Sequence, residues 1–396
     1  MIATPHLESM TTTQLAEQLE AARAQTDALF GLLDPAALYE RPVVDRHRLV
    51  FYLGHLEAFD WNLIQRGELG KPAFDESLDR LFAFGIDPEP GKAPTDRPSD
   101  WPLETRVRDY SRRVRREIDE SLSAIPDELL HVAIEHRLMH AETLAYLFHN
   151  LSPDVKTGPR PSGAPSNPAP ANSMVDIPAG AAVLGQSRGD GFGWDNEFER
   201  HIVDVPRFQI SRYKISNGEY LQYVRSGEPA PHFWVERNGE WFQRTMFGEI
   251  PLRLDWPVYV THAEATAFAQ RMGAALPSEA QYHRAAEGTK PVNVDFERWD
   301  PIPVDAGAGV SRHGVHQLVG NGWEWTSTVF APFAGFETRP FYPGYSADFF
   351  DGKHFVMKGA SPRTAATFLR PSFRNWFRAD YPYVYAGFRV VKETGE

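Results

Sequence analysis

Residues 128–151 read ELLHVAIEHRLMHAETLAYLFHNL, and the reading of this stretch decides the fold. Its apolar residues recur three and four apart, the spacing of a helix that buries one face. His136 and His140 stand four apart, so both imidazoles leave the same face and can aim at one point. Their neighbours Leu138, Ala145 and Leu147 are apolar, and an imidazole inside a packed helix needs either a partner or a metal. Two histidines on a polar helix face are the plain competing reading of the pair.

The same periodicity runs through LAEQLEAARAQTDALFGLL at 15–33, RHRLVFYLGHLEAFDWNLI at 46–64 and ETRVRDYSRRVRREIDESL at 104–122. Four helices of this length predict a bundle. The second of them is the most apolar and carries His55, which would be costly there without a ligand. Bundle cores build metal sites from facing helices, so His55 is the expected third ligand beside His136 and His140. Glu142 lies about 200° round the helix from His140 and is expected behind the ligands, not among them. His131 and His149 point off the ligand direction and read as structural.

The glutamate of this stretch, Glu135, precedes the first histidine, so the pattern is not the zinc-protease motif. Three neutral imidazoles with open positions suit Fe(II), Zn or Cu(II), and spacing alone leaves that choice open.

The connection at 67–101, GELGKPAFDESLDRLFAFGIDPEPGKAPTDRPSDW, is long and marked by Pro and Gly; long ordered loops often cover a site. Residues 152–173, SPDVKTGPRPSGAPSNPAPANS, are rich in Pro, Ser, Ala and Gly with little to bury, the composition of an extended linker. Beyond them the segments are short, aromatic and β-branched, and helical spacing is clear only in THAEATAFAQRMG at 261–273 and SEAQYHRAAEG at 278–288. The expected organisation is α+β in two domains: a bundle over 1–151, a linker over 152–173 and a strand-rich domain over 174–396.

The 396 residues suffice for two or three domains at about 100–200 residues each. The formal net charge is −12, with no run of like charge that would serve a nucleic acid or a membrane surface. No window is apolar enough to span a bilayer, and the N-terminus lacks the pattern of a signal peptide, so a soluble, cytoplasmic protein is expected. There is no cysteine, which removes disulfides, thiolate metal sites, Fe–S clusters and a Cys nucleophile.

His55 with His136-x3-His140 resembles the DinB-like four-helix domain of the EgtB-type sulfoxide synthases of ergothioneine biosynthesis. The second half resembles the formylglycine-generating-enzyme domain fused to that bundle, through IPAGAAVLG at 177, DNEFERHIVDVPRFQISRYKISNGEY at 195, LPSEAQYHRAA at 276, VGNGWEWTSTVFAPFAGF at 319, LRPSFRNWF at 369 and AGFRVV at 386. Formylglycine-generating enzymes themselves depend on active-site cysteines that this chain lacks. The resemblance implies a C-type-lectin-like second domain and an active site between the two domains. It also implies Fe(II) on His55, His136 and His140, and O2-dependent bond formation at C2 of the imidazole of hercynine, Nα-trimethylhistidine.

By the same resemblance, Tyr342 in PFYPGYS is the proton donor during oxygen activation and Tyr345 faces the substrate. RNW at 374–376 places Asn375 and Trp376 against hercynine, Trp376 as an aromatic wall for the quaternary cation, while Arg374 has a structural alternative as an ion-pair partner. Trp323 and Trp325 are expected as anchors of the fold.

The chain departs from the family pattern at three substrate-facing positions. Met139 stands where many members carry Gln before the second helix histidine. Phe377 and Tyr381 stand where users of γ-glutamylcysteine carry an Asp and an Arg that grip the donor's charged ends. A zwitterionic thiol would find its groups poorly satisfied there, whereas aromatic walls suit an uncharged sugar. The selenoneine synthase branch, which takes a selenosugar, is therefore favoured over an ergothioneine synthase using cysteine or another thiol. Two competing classes are a non-catalytic ligand-binding module, and a metal-dependent thiol transferase that would leave the second domain unexplained.

Overall fold

The computed structural model describes residues 11–86, 94–161, 163 and 166–393. Parts of the expected domain termini, of the 67–101 connection and of the linker thus lie outside the described residues. The chain divides into two compact units, up to Pro159 and from Arg160 onward. The architecture is α+β, with the first unit helical and the second rich in sheet.

The first unit contains α1 (Thr12–Phe30), α2 (Leu49–Asp60), α3 (Glu76–Phe84), α4 (Glu104–Ser121) and α5 (Asp127–His149). α1 begins with a capping box in which Thr11 and Gln14 satisfy each other's backbone N–H groups. α2 is apolar nearly all round and correspondingly buried, from Leu49 to Leu53 and again at Leu56 and Ala58. It continues as a π-helical stretch, Trp61–Glu68. α5 carries Asp127 and Glu128 in its first turn, where they complement the helix dipole. α5 packs chiefly on α1, and α2 on α4 and α3.

α3 lies inside the connection that reads as a loop. Asp75 caps its start by accepting from the Ser77 and Leu78 N–H groups, and Gly85, at φ 81°, closes its end where a side chain would be strained. Its Leu78 and Phe82 are buried, and the packing they gain outweighs the Pro and Gly punctuation on either side.

The linker segment is divided between the units. Pro153–Val155 forms a 3-10 turn, Leu33 and Lys156 form a β-bridge, and Lys156 Nζ donates to the carbonyls of Phe148 and Leu151. In the second unit, Ser166 Oγ accepts from the Leu254 N–H and Asn167 donates to Asp255.

The second unit contains β1 (Met174–Ile177), β2 (Gly180–Leu184), β3 (His201–Val205), β4 (Phe208–Ser211), α6 (Asn217–Arg225), β5 (Trp234–Arg237), β6 (Glu240–Thr245), β7 (Gly248–Pro251), α7 (His262–Arg271), α8 (Glu279–Ala285), β8 (Gly322–Val329), β9 (His354–Ala360), β10 (Asn375–Arg378), β11 (Ala386–Gly387) and β12 (Val391–Glu393). The sheets run β1-β4-β12, β10-β9-β8-β11, β2-β3 and β5-β6-β7. β8 pairs antiparallel with β9, Gly322 opposite Ala360, and β9 with β10, Met357 opposite Asn375. Ile177, Leu184, Phe208, Ile210, Leu318 and Val391 form a core cluster.

Trp323 and Trp325 on β8 are buried, and Trp325 donates its indole N–H to the Val260 carbonyl at 2.8 Å. Glu324 between them is fully buried against Lys214 Nζ at 2.6 Å and Arg389 Nε at 3.0 Å. The alternation of β8 thus sends two indoles to one side and an ion-paired carboxylate to the other. α6 begins with a capping box from Ser216 to Glu219, a signal readable in SNGE but not matched there by a long helical period.

Candidate metal centre and aromatic site

α2 and α5 bring three imidazoles together. Potential ligand nitrogens of His55, His136 and His140 all lie within 4.8 Å of one another, and these residues form the one such cluster among the described residues. The ring centroids are 4.6–5.2 Å apart and the planes are steeply inclined, as expected for rings converging on a point instead of stacking.

His55 Nδ1 lies 2.7 Å from the Phe82 carbonyl at the end of α3. A carbonyl only accepts, so Nδ1 carries the proton and Nε2 keeps the lone pair for a ligand. The buried Nδ1 atoms of His136 and His140 have no hydrogen-bond partner. Burial holds the His55 imidazolium down to about 4, and burial, reinforced by neighbouring positive groups, holds His136 and His140 well below their ordinary value. All three are therefore neutral near pH 7, the form that binds a metal. Orphaned buried nitrogens and neutral rings fit a borderline divalent cation such as Fe(II).

Aromatic rings wall the cluster. Phe51 stacks on His55 with centroids 4.7 Å apart, and Phe59 stacks on His136 at 3.5 Å and 10°. Tyr52 stands 5.7 Å from the His140 ring. Phe51, His55 and Phe59 are four apart along α2, so one helix face supplies a histidine of the cluster and both stacking rings. This follows from spacing, yet three dimensions are needed to see which rings the phenylalanines cover.

Next to the three histidines runs a buried ionic chain that sequence reasoning missed. Arg137 forks onto Glu57 through two bonds of 3.0 and 2.8 Å, and its Nη2 also donates to Asp60 and to the Leu56 carbonyl, each at 3.1 Å. Arg115 of α4 reaches Glu57 at 2.7 Å and holds Asp27 of α1 with its two terminal nitrogens. The available signal was a charged residue between two inward histidines. Met139, Glu142 and His131 lie half-buried on α5.

In the second unit the expected site residues form an aromatic group. Tyr342 and Tyr345 have ring centroids 5.6 Å apart; Tyr345 stacks on buried Trp194 at 3.9 Å and meets the Trp376 ring edge-on at 5.4 Å. Phe330 lies flat on Trp376 at 4.2 Å. Burial and the nearby Asp348 carboxylate raise the Tyr342 phenol, which keeps its proton. Asn375 Oδ1 accepts from the Trp376 N–H at 2.9 Å. Phe377 and Tyr381 stack on each other at 5.0 Å and 19°, and Tyr383 meets Tyr381 edge-on.

Arg374 is 2% exposed and donates to Glu279 at 3.1 Å and to the carbonyls of Asn196 and Ala331. Of its two readings, the structure supports the ion-pair partner. The tyrosine loop is pinned by the turn at 194–197: Ser346 Oγ bonds to Asp195 Oδ1 and accepts from Asn196 Nδ2 at 2.9 Å, and Arg339 donates to the Gly193 carbonyl. Glu197 in turn bonds to Arg370 and Ser372, ahead of the RNW segment. This turn lies in DNE at 195–197, where sequence spacing alone carried no chemical signal.

Residues 161–394 match the sulfatase-modifying factor enzyme 1-like domain family, and residues 18–150 match the DinB superfamily. The chain is 31% identical over 435 residues to the hercynine oxygenase of Mycolicibacterium smegmatis, covering 95% of this chain and 98% of that one. It is 32% identical over 341 residues to the hercynine oxygenase of Mycobacterium tuberculosis, covering 72% and 77% respectively. Identity to the ergothioneine biosynthesis protein 1 of Schizosaccharomyces pombe is 30% over 427 residues, covering 91% of this chain. The chain spans about half the length of that relative and of its Neurospora crassa counterpart. Among the described residues, no helix is long and apolar enough to cross a membrane.

Proposed function

We infer that this chain, which belongs to the EgtB-type ergothioneine sulfoxide synthase family, is a nonheme Fe(II), O2-dependent enzyme that joins sulfur or selenium to C2 of the hercynine imidazole. The observation that carries this reading is the convergence of three neutral imidazoles within 4.8 Å. His55, His136 and His140 would hold the ion; Fe(II), when bound, supplies the one-electron chemistry that O2 requires. Three protein ligands leave room for reactants in one place, which is a proximity advantage.

Tyr342 is the proposed proton donor. Its phenol is held protonated by burial and Asp348, so it has a proton to give. Trp376, backed by Phe330, is the proposed wall for the trimethylammonium group, with Tyr345 at its edge and Asn375 as a polar contact.

The donor reading rests on Phe377 and Tyr381, two stacked rings in place of charges, while Met139 gives up a polar contact to substrate. Such walls suit the C–H faces of a selenosugar, which makes the chain a selenoneine synthase. A second reading, a thiol such as cysteine as donor, is favoured by the exposed Arg378 and Asp380 beside these rings. Cytoplasmic reaction with small molecules alone, without nucleic acid or membrane, completes the proposal.

The test is anaerobic reconstitution with Fe(II), followed by O2, hercynine and one donor at a time: a selenosugar, cysteine or γ-glutamylcysteine. Mass spectrometry is expected to find a hercynine adduct with the selenosugar and none with γ-glutamylcysteine. No adduct from any donor, together with unchanged metal content in His136→Ala, contradicts the reading.

A further inference from the structure

α2 supplies His55 and α5 supplies His136 and His140, yet each of these helices finds its main packing partner elsewhere, α2 on α4 and α3, α5 on α1. Apolar packing between α2 and α5 is therefore a weak constraint on the distances among the three rings. A metal site tolerates only about ±0.2 Å in its ligand distances. Something more directional must fix the two helices against each other.

We propose that the Arg137–Glu57–Asp60 cluster is a positioning clamp that sets the spacing of His55 against His136 and His140. Arg137 follows His136 immediately on α5, and Glu57 lies two residues after His55 on α2. The two side chains meet as a planar fork on a carboxylate, at 3.0 and 2.8 Å, and Asp60 takes the same guanidinium at 3.1 Å. The side chains of all three residues are 1% exposed. A bidentate fork is intolerant of both sliding and rotation, unlike apolar contacts. Arg115 extends the chain from Glu57 to Asp27, so α4 and α1 are held in the same frame.

Stability does not account for such a cluster. Removing three charges from water is costly, and well-packed apolar residues of similar volume commonly do as well or better. What the cluster supplies that leucine and methionine do not is a fixed register. The clamp acts through the backbone on residues that carry the ligands; Arg137, Glu57 and Asp60 are positioning residues and touch no reactant.

This inference rests on the three-histidine metal reading, and the test separates the two. The wild-type protein and the triple substitution Glu57→Leu/Asp60→Leu/Arg137→Met, which removes every member of the buried cluster, are titrated anaerobically with Co(II), a spectroscopic substitute for Fe(II), with affinity and the visible absorption spectrum as readouts. Circular dichroism and thermal melting report folding independently. The apolar triple variant is expected to stay helical and to melt near the wild-type temperature. Its Co(II) affinity is expected to fall by about 10–100-fold, the usual effect of disturbing the surroundings of metal ligands, with altered absorption bands.

Arg137→Lys, which keeps the charge but loses the fork, is expected to show the same altered bands. Wild-type binding that survives the triple substitution with unchanged affinity and spectrum overturns the clamp and leaves the metal site standing. A wild-type protein that binds no more Co(II) than His136→Ala overturns both.

Discussion

His55 shows how much one side chain needs from its surroundings. Its Nδ1 is tied to the Phe82 carbonyl, its face is covered by Phe51, and its remaining nitrogen joins those of His136 and His140. The three histidines were legible because helical spacing alone places His136 and His140 on one face and sets His55 in an apolar helix. Phe59 on His136 and Arg137 on Glu57 were not, because stacking and forking partners come from another helix and leave no mark in spacing. Among the tyrosines, burial and Asp348, six residues away in the same loop region, raise the Tyr342 phenol above its ordinary value. Replacing Tyr342 by Phe removes only the hydroxyl, and turnover is expected to fall by about 10²–10⁴-fold, the range for loss of a proton donor. Metal content measured on the same preparation should not change. Wild-type turnover in Tyr342→Phe would remove the residue from the chemistry.

At the scale of elements, α3 forms inside a stretch whose Pro and Gly read as a connection. Pro and Gly around it, and its length of nine residues, hide a helix whose Asp75 cap and Gly85 terminator are readable in retrospect. Its position matters because its last turn presents the Phe82 carbonyl to His55. α2 makes room for it with Gly54, where a Cβ would overlap the Phe82 ring. Gly54→Ala therefore pushes α3 outward and loosens the hydrogen bond that sets the His55 tautomer. Overpacking of this kind costs about 1–3 kcal/mol, measurable by urea unfolding. Fe(II) affinity should weaken by about 10–100-fold in parallel, as for other losses of a ligand's hydrogen-bond partner. Undiminished affinity would show that α3 packs on the site without orienting it. In the second unit, α7 and α8 follow their readable spacing, whereas α6 is signalled mainly by its Ser216–Glu219 cap. The turn at 194–197 owes its importance to partners some 150 or more residues away, Ser346 and Arg370.

For the molecule as a whole, the change from helical period to short aromatic segments marked two architectures correctly, and the structure shares the expected linker out between the two units. Tryptophans read as anchors are buried as such, since large apolar side chains have few other places to go. Which metal would suit the histidines is not written in their spacing, because three neutral imidazoles serve several ions. Family membership is what narrows the choice among those ions to the proposed Fe(II). Under the proposed function, a bond to sulfur or selenium forms at C2 of hercynine under the control of that centre. Hercynine carrying deuterium at C2 tests it most directly, with Fe(II)-loaded protein, O2 and the selenosugar, and nuclear magnetic resonance following the label. Deuterium is expected to leave C2 one-for-one with adduct formation, and His136→Ala protein is expected to release none. Deuterium retained at C2 while O2 and donor are consumed would contradict it.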